Sequence, residues 1–186
     1  MRYAQIRDMD ISNGLGIGVS LFVQGCPLHC KGCHNPEQWN PDGGKLYTKE
    51  TEDKILSLLN KPHITRLSIL GGEPLSSFDK LREIQSLISR VPQDIEIWLY
   101  TGYTWSQLID RTFDEPKSAV QRAEQSALHN ILYGIDYLID GPFEIDKKDL
   151  SLAFRGSYNQ KIRHKEKVDN LTLHLDVTKK FDAGEY

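Results

Sequence analysis

"QGCPLHCKGCHNPEQW", residues 24–39, holds every cysteine of the chain: Cys26, Cys30 and Cys33. Three thiols cannot all pair as disulfides within one chain. Exported disulfide scaffolds look different, so a metal centre in a reducing compartment fits better. The stretch just before, "IGVSLFVQ" at 17–24, is apolar and β-branched enough for a buried strand. The cysteine loop therefore begins at the carboxyl end of a strand.

Outward from that loop, the pattern alternates. Thr48 reads as an N-cap, and "TKETEDKILSLLN" puts Ile55, Leu56, Leu58 and Leu59 on one side of a helix. "RLSIL" at 66–70 is a short strand running into "GGEP". Ser77 or Asp79 opens a second helix carrying Leu81, Ile84, Leu87 and Ile88. "IEIWLY" at 95–100 is a strand followed by "TGYTW", and a weaker helical region covers about 104–130. "DYLID" at 136–140 is a strand ended by "GPF". "LTLHLDV" at 171–177 alternates like a half-exposed edge. Alternating strands and helices predict an α/β fold with about five mainly parallel strands. Five are too few for a closed eight-stranded barrel, so a partial, open β/α barrel is expected. Ligands of such sheets bind at the carboxyl ends of the strands. Those ends carry the cysteine loop, Gly71–Pro74, Thr101–Tyr103 and Gly141–Phe143.

The chain has 186 residues, 39% of them hydrophobic, which suits one core. Its 23 Lys and Arg nearly balance 26 Asp and Glu, so it lacks the basic surface of a general nucleic-acid binder. The basic run "KIRHKEK" at 161–167 reads as a solvated tail face, with partner contact second. The N-terminus has no apolar core segment of a signal peptide, and no apolar run approaches the roughly 18 residues of a membrane span. A soluble, cytoplasmic protein without membrane contact is expected.

The spacing C-x3-C-x2-C leaves two main metal readings. One is zinc, with His29 or His34 as fourth ligand of a Cys3His site in a non-catalytic binding module, although zinc ligands usually come as two spaced pairs. Free thiols are a third option. The remaining reading is an iron–sulfur cluster. Four thiolates normally hold a four-iron cluster. Three would leave one iron open, and an open position is where substrate binds.

"GCPLHCKGCHNP" resembles the signature loop of radical S-adenosylmethionine enzymes. The resemblance implies one [4Fe-4S] cluster on Cys26, Cys30 and Cys33, with S-adenosylmethionine on the open iron. It implies one-electron cleavage of the sulfonium to a 5′-deoxyadenosyl radical that abstracts a hydrogen atom. "LGGEP" at 70–74 is similar to the family's second motif and implies that Gly71, Gly72 and Glu73 contact the methionine moiety. Its two glycines let backbone approach a ligand closely. Gly32 and His34 flank Cys33, so the same resemblance puts them beside cluster or adenine. No side chain is expected as general acid or base, because the cofactor carries the chemistry.

The phrase F-x-x-G-C-x-x-x-C-x-x-C-x-N is shared by activases that make a glycyl radical in a larger enzyme. "DISNGLGIGVSLFVQGC" at 10–26, "GGKLYT" at 43–48, "WLYTGYTWSQL" at 98–108, "LIDGPF" at 138–143 and "FRGSYNQ" at 154–160 resemble the activators of the anaerobic, class III ribonucleotide reductase. "CHNP" is also found in pyruvate formate-lyase activators, which are the alternative. The implied partners are the large reductase subunit and a reducing electron donor such as flavodoxin or ferredoxin. A homodimer remains allowed. The resemblance predicts an activase domain at 1–164 and a C-terminal extension at 165–186, an edge strand and tail.

Other positions read mainly as structure, some with a functional reading beside it. Asn35 and Pro36 shape the turn. Asn13, Gly14 and Gly16 form a turn or meet a partner. Tyr103 and Trp105 pack or stack on adenosine. Arg155, Gly156, Ser157, Asn159 and Gln160 are loop structure or reductase contact. His63, His129, His164 and His174 carry no assigned chemistry.

Overall fold

The computed structural model describes residues 1–168 and 171–186. Positions 169 and 170, inside the expected extension, lie outside the described residues. The chain runs β1 (Arg2–Asp10), β2 (Gly18–Val23), β3 (Lys45–Leu46), α1 (Lys49–Leu59), β4 (Arg66–Gly71), α2 (Phe78–Ile88), β5 (Glu96–Tyr100), α3 (Trp105–Phe113), α4 (Ala119–Gly134), β6 (Tyr137–Asp140), β7 (Lys161–Val168), β8 (Leu171–Asp176) and α5 (Thr178–Asp182).

The α/β alternation is present, but the expected strand count and pairing are corrected. The described strands form one eight-stranded sheet in the order β3-β1-β2-β4-β5-β6-β7-β8. Only the centre, β2-β4-β5-β6, is parallel. Both flanks pair antiparallel, so most neighbouring pairs are antiparallel. The physical reason lies in burial. β2 is buried along its whole length and reads as a continuous apolar run. β1 and β7 each leave much of their surface half-open to water, so their sequences are charged and carry little apolar signal.

The "KIRHKEK" run is accordingly a strand, not a tail face. Ile162 is fully buried. Arg163 Nε donates to Asp140 at 2.7 Å, and Lys165 pairs with Asp136 at 2.8 Å. Partners distant in sequence neutralise these charges.

Alternation along the strands divides the core. One face sends Leu21, Leu67, Ile69, Leu99 and Leu138 against apolar residues of α1–α4. The other gathers Trp98, Ile139 and Ile162 with Val177 and Phe181. Thr48 caps α1, its hydroxyl accepting from the Thr51 N–H. The expected helical region 104–130 is two helices, split where Pro116 cannot continue the first. Among the described residues, no helix is long and apolar enough to cross a membrane.

His174 docks β8 onto the helical layer. Its Nε2 lies 2.7 Å from the Leu132 carbonyl, and its ring is 5.5 Å from that of Trp105. Burial pushes the ring below its ordinary value, and Lys165, Arg163 and His164 push it further, against the Leu132 hydrogen bond. The folded ring therefore stays neutral where an unfolded histidine, with a value near 6.5, already takes a proton. Stability from this site is full above about pH 6.5 and is lost as pH falls below it. The melting temperature should drop on acidification from about pH 7 to about pH 5.5, and His174→Gln should flatten that slope. Equal slopes in both proteins would refute the assignment.

Candidate cluster and cofactor site

The parallel centre of the sheet builds the site by continuing past its strand ends. Val23 pairs with Gly71 in register. The Gly72 N–H then donates to Val23 O at 2.8 Å, and the Glu73 N–H to Gly25 O at 3.0 Å. Thr101 N–H reaches Ile139 O, and Gly141 N–H reaches Tyr103 O, each at 2.9 Å. Four loops are thereby fixed on one rim, as the strand polarity predicts.

The cysteine loop is pinned at both ends. Gly25 N–H donates to Gln38 O, and Cys26 N–H to Trp39 O. Gln24 Nε2 donates to the carbonyls of Glu37 and Asn40. Pro36 opens a short 3-10 turn, 36–38, that returns the chain. The Asn35 N–H points at Cys33 Sγ, 3.4 Å away. All three cysteines are free and half-buried.

They line one cavity of about 390 Å³. Gly71, Gly72, Glu73 and His34 share its wall, with Tyr100, Thr101, Phe143 and Arg155. Ser12 and Asn13 also line it. Gly32 lies behind the wall, where a Cβ would meet Ile145 Cδ1 at 2.8 Å. Tyr103 and Trp105 line no part of it. They carry the guanidinium groups of Arg111 and Arg163 on their ring faces. Gly14 packs against Arg66 and Trp98, and Gly16 against Thr65.

The donor set fits an iron–sulfur cluster, whose usual protein ligands are thiolates. Among the described residues, no three or more His, Cys, Asp or Glu side chains are grouped as one metal ion would hold them. Zinc needs its thiolates about 2.3 Å from one point, whereas a four-iron cluster takes each thiolate on a different iron. His29 stacks on Trp39 with 4.7 Å between ring centroids. His34 sits against Phe143 at 5.1 Å. Three thiols lining one cavity suit the cluster. Burial pushes the Cys26 thiol up, although the backbone N–H groups of Leu28 and His29 favour its thiolate. Iron would supply the positive charge that keeps it ionised.

Glu73 is the buried tie of the opposite wall, 1% exposed. Its carboxylate accepts from Leu75 N–H at 3.0 Å, Thr101 Oγ1 at 2.8 Å and Gly102 N–H at 2.7 Å. Burial pushes its carboxyl up; these three donors and Lys80 pull it back.

Lys80 is the residue that sequence reading missed. From α2 its Nζ reaches Gly25 O at 2.5 Å, Glu73 O at 2.9 Å and Ser76 Oγ at 2.9 Å. One ammonium thus joins the start of the cysteine loop to the "GGEP" turn. A signal did exist: Lys80 falls on the apolar stripe one turn before Ile84.

The two walls meet most tightly at Gly72. A Cβ there would lie 2.6 Å from Gly25 O and 3.0 Å from Gly25 C, both backbone. A Cβ on Gly102 would meet only the Leu28 Cδ1 tip, which can turn aside. Gly72→Ala should therefore part the walls and reduce retained iron about tenfold or more, as loss of a supporting contact does. Gly102→Ala should cost far less. Iron and sulfide analysis of both variants decides; equal loss in the two would contradict the tight approach.

Comparisons with known proteins bear on the same residues. A family described as a 4Fe-4S single cluster domain matches residues 12–163. The anaerobic ribonucleoside-triphosphate reductase-activating protein of Salmonella typhi is 37% identical over 169 residues, covering 88% of this chain and 99% of the relative. That of Vibrio cholerae is 40% identical over 167 residues, covering 87% and 97%. That of Escherichia coli strain K12 is 35% identical over 169 residues, covering 88% and 99%. The chain belongs to this family of activating proteins. The cysteine loop, the "GGEP" turn and the Thr101–Tyr103 and Gly141–Phe143 rims all fall inside the matched span.

Proposed function

We propose that this chain is a radical S-adenosylmethionine activase that forms a glycyl radical in the large subunit of an anaerobic ribonucleotide reductase. The observation that carries the reading is the three-thiol wall facing the Gly71–Glu73 turn across one open cavity. Cys26, Cys30 and Cys33 would hold a [4Fe-4S] cluster, leaving one iron to the cofactor. When bound, the cluster supplies one electron and that open position, and cleavage of S-adenosylmethionine supplies the radical that takes hydrogen from glycine.

The chain's own residues bind, orient and exclude water. Gly71 and Gly72 offer a wall without side chains to the methionine moiety. Glu73 holds the Thr101–Gly102 loop at the distance that wall needs. Gly32 and His34 set the backbone next to Cys33, and the His34 ring, against Phe143, bounds the adenine side. The open rim suits a polypeptide substrate, which can itself close the site. The strand order, with edges at β3 and β8, is compatible with a partial barrel of the radical S-adenosylmethionine type. Residues 1–164 would form the activase unit and 165–186 an extension. The boundary falls inside β7, so the extension continues the sheet. A cytoplasmic setting, with flavodoxin or ferredoxin as reductant, belongs to the same reading.

The test uses protein purified and reconstituted without oxygen. Reduced with dithionite, it should give a four-iron paramagnetic resonance signal that changes when S-adenosylmethionine is added. With the large reductase subunit it should then yield a glycyl radical doublet. A signal indifferent to S-adenosylmethionine, or radical formation only in a pyruvate formate-lyase partner, would overturn the reading.

A further inference from the structure

We propose that the C-terminal residues 177–186 are an internal clamp, with Phe181 and Asp182 as positioning residues for the Phe154–Gly156 wall of the cavity. These residues lie beyond the span matched by the cluster-domain family, which ends at 163. They nevertheless cover the sheet face that carries Trp98, Ile139 and Ile162. Val177 N–H donates to Ile162 O, and the Ile162 N–H donates to Thr178 Oγ1, each at 2.9 Å. α5 is thereby seated on β7. It delivers Phe181, 5% exposed, onto the rings of Trp98, Tyr137 and Phe154.

Phe154 is where the clamp meets the site. Its φ of 55° lies in the left-handed region. That conformation is unfavourable for an aromatic residue and persists only where the surroundings over-determine it. Here Trp98, Phe181 and Tyr186 surround its ring. The next residue, Arg155, is buried on the cavity wall. Its Nη2 pairs with Asp182, and its Nη1 donates to Gln160 O at 3.2 Å. Gln160 Oε1 in turn accepts from the Gly156 N–H at 2.8 Å and the Ser157 N–H at 3.2 Å. Gly156 lies against Phe143 and His34, leaving no room for a Cβ.

A contiguous series of contacts therefore runs from Asp182 through Arg155 and Gly156 to His34, the residue after Cys33. Asp182 touches none of the cavity itself, so it acts through Arg155. With Asp182 gone, a buried guanidinium loses its counter-charge. The strained Phe154–Gly156 segment then has one restraint fewer.

The experiment compares wild type, Asp182→Ala and Asp182→Glu as full chains. Amide exchange is read by nuclear magnetic resonance without added cofactor. S-adenosylmethionine affinity is read by calorimetry on the reconstituted protein. We expect Asp182→Ala to retain its iron and to exchange the Gly156 and Ser157 amides about tenfold faster, with affinity about tenfold weaker. Asp182→Glu should restore both. Unchanged amides and affinity, or faster exchange throughout the chain instead of in this loop, would overturn the clamp. If Asp182→Ala does not fold, Phe181→Leu takes its place with the same readouts. The affinity arm rests on the function proposed above, but the exchange arm does not. Wild-type protein that fails to bind S-adenosylmethionine would defeat that function, while the exchange rates still decide the clamp.

Discussion

Alanine at any one of Cys26, Cys30 or Cys33 is expected to abolish the cluster while leaving the fold standing. The chain contains three cysteines in total, so no fourth thiol can substitute. The nearby imidazoles pack on aromatic rings, His29 on Trp39 and His34 on Phe143. Two thiolates would then have to hold a cluster that normally takes four. Loss of an outer-shell partner alone costs roughly 10- to 100-fold in metal affinity or activity, and loss of a ligand should exceed that. The fold should survive because the three thiols sit half-exposed in a loop, outside both apolar clusters. Near-ultraviolet circular dichroism of the apoproteins should match wild type. Iron content and the reduced paramagnetic signal should vanish together. A variant keeping a full cluster would remove that cysteine from the ligand set.

Lys80→Met is expected to have the opposite signature, damaging the fold before any cofactor is added. Methionine keeps the length of the stem and removes the charge. The carbonyls of Gly25 and Glu73 would lose their charged donor and keep only the weaker neutral ones, the Glu73 N–H and the Ser76 hydroxyl. The Glu73 carboxylate, 1% exposed, would lose a neighbouring positive charge. Losing hydrogen bonds from a buried charged donor costs about 1.5–3 kcal/mol, against a total stability typically of about 5–15 kcal/mol. Urea denaturation of the apoprotein should show that loss with an unchanged slope. A loss under about 1 kcal/mol would mean that water replaces the ammonium, and the tie between the two walls would be dispensable.

These two residue types mark where the sequence was legible. The cysteine triplet and "GGEP" are local signals. Their chemistry resides in spacing along the chain, so the candidate site could be placed without a fold. The parallel centre was legible for a related reason. Strands buried on both faces, such as β2, must be apolar throughout. Thr48 read correctly as a helix start because the first-turn N–H groups require caps wherever the helix goes, and of the two candidates for α2 it is Ser77 that precedes the helix, without a side-chain cap bond.

What the sequence determined by itself was therefore the cysteine loop, the glycine turn sharing its cavity and the α/β order between them. Tertiary structure alone decided the rest. β1 and β7 are strands because neighbours pair with them and because Asp140 and Asp136 neutralise Arg163 and Lys165. Lys80 joins two walls because α2 happens to aim it at Gly25 O, 55 positions away in the chain. Arg155 is held by Asp182 only once β8 has brought the C-terminus back across the sheet. The physical reason is common to all three. A charged side chain looks solvent-exposed in sequence, and only the three-dimensional arrangement shows that its partner removes the cost of burying it.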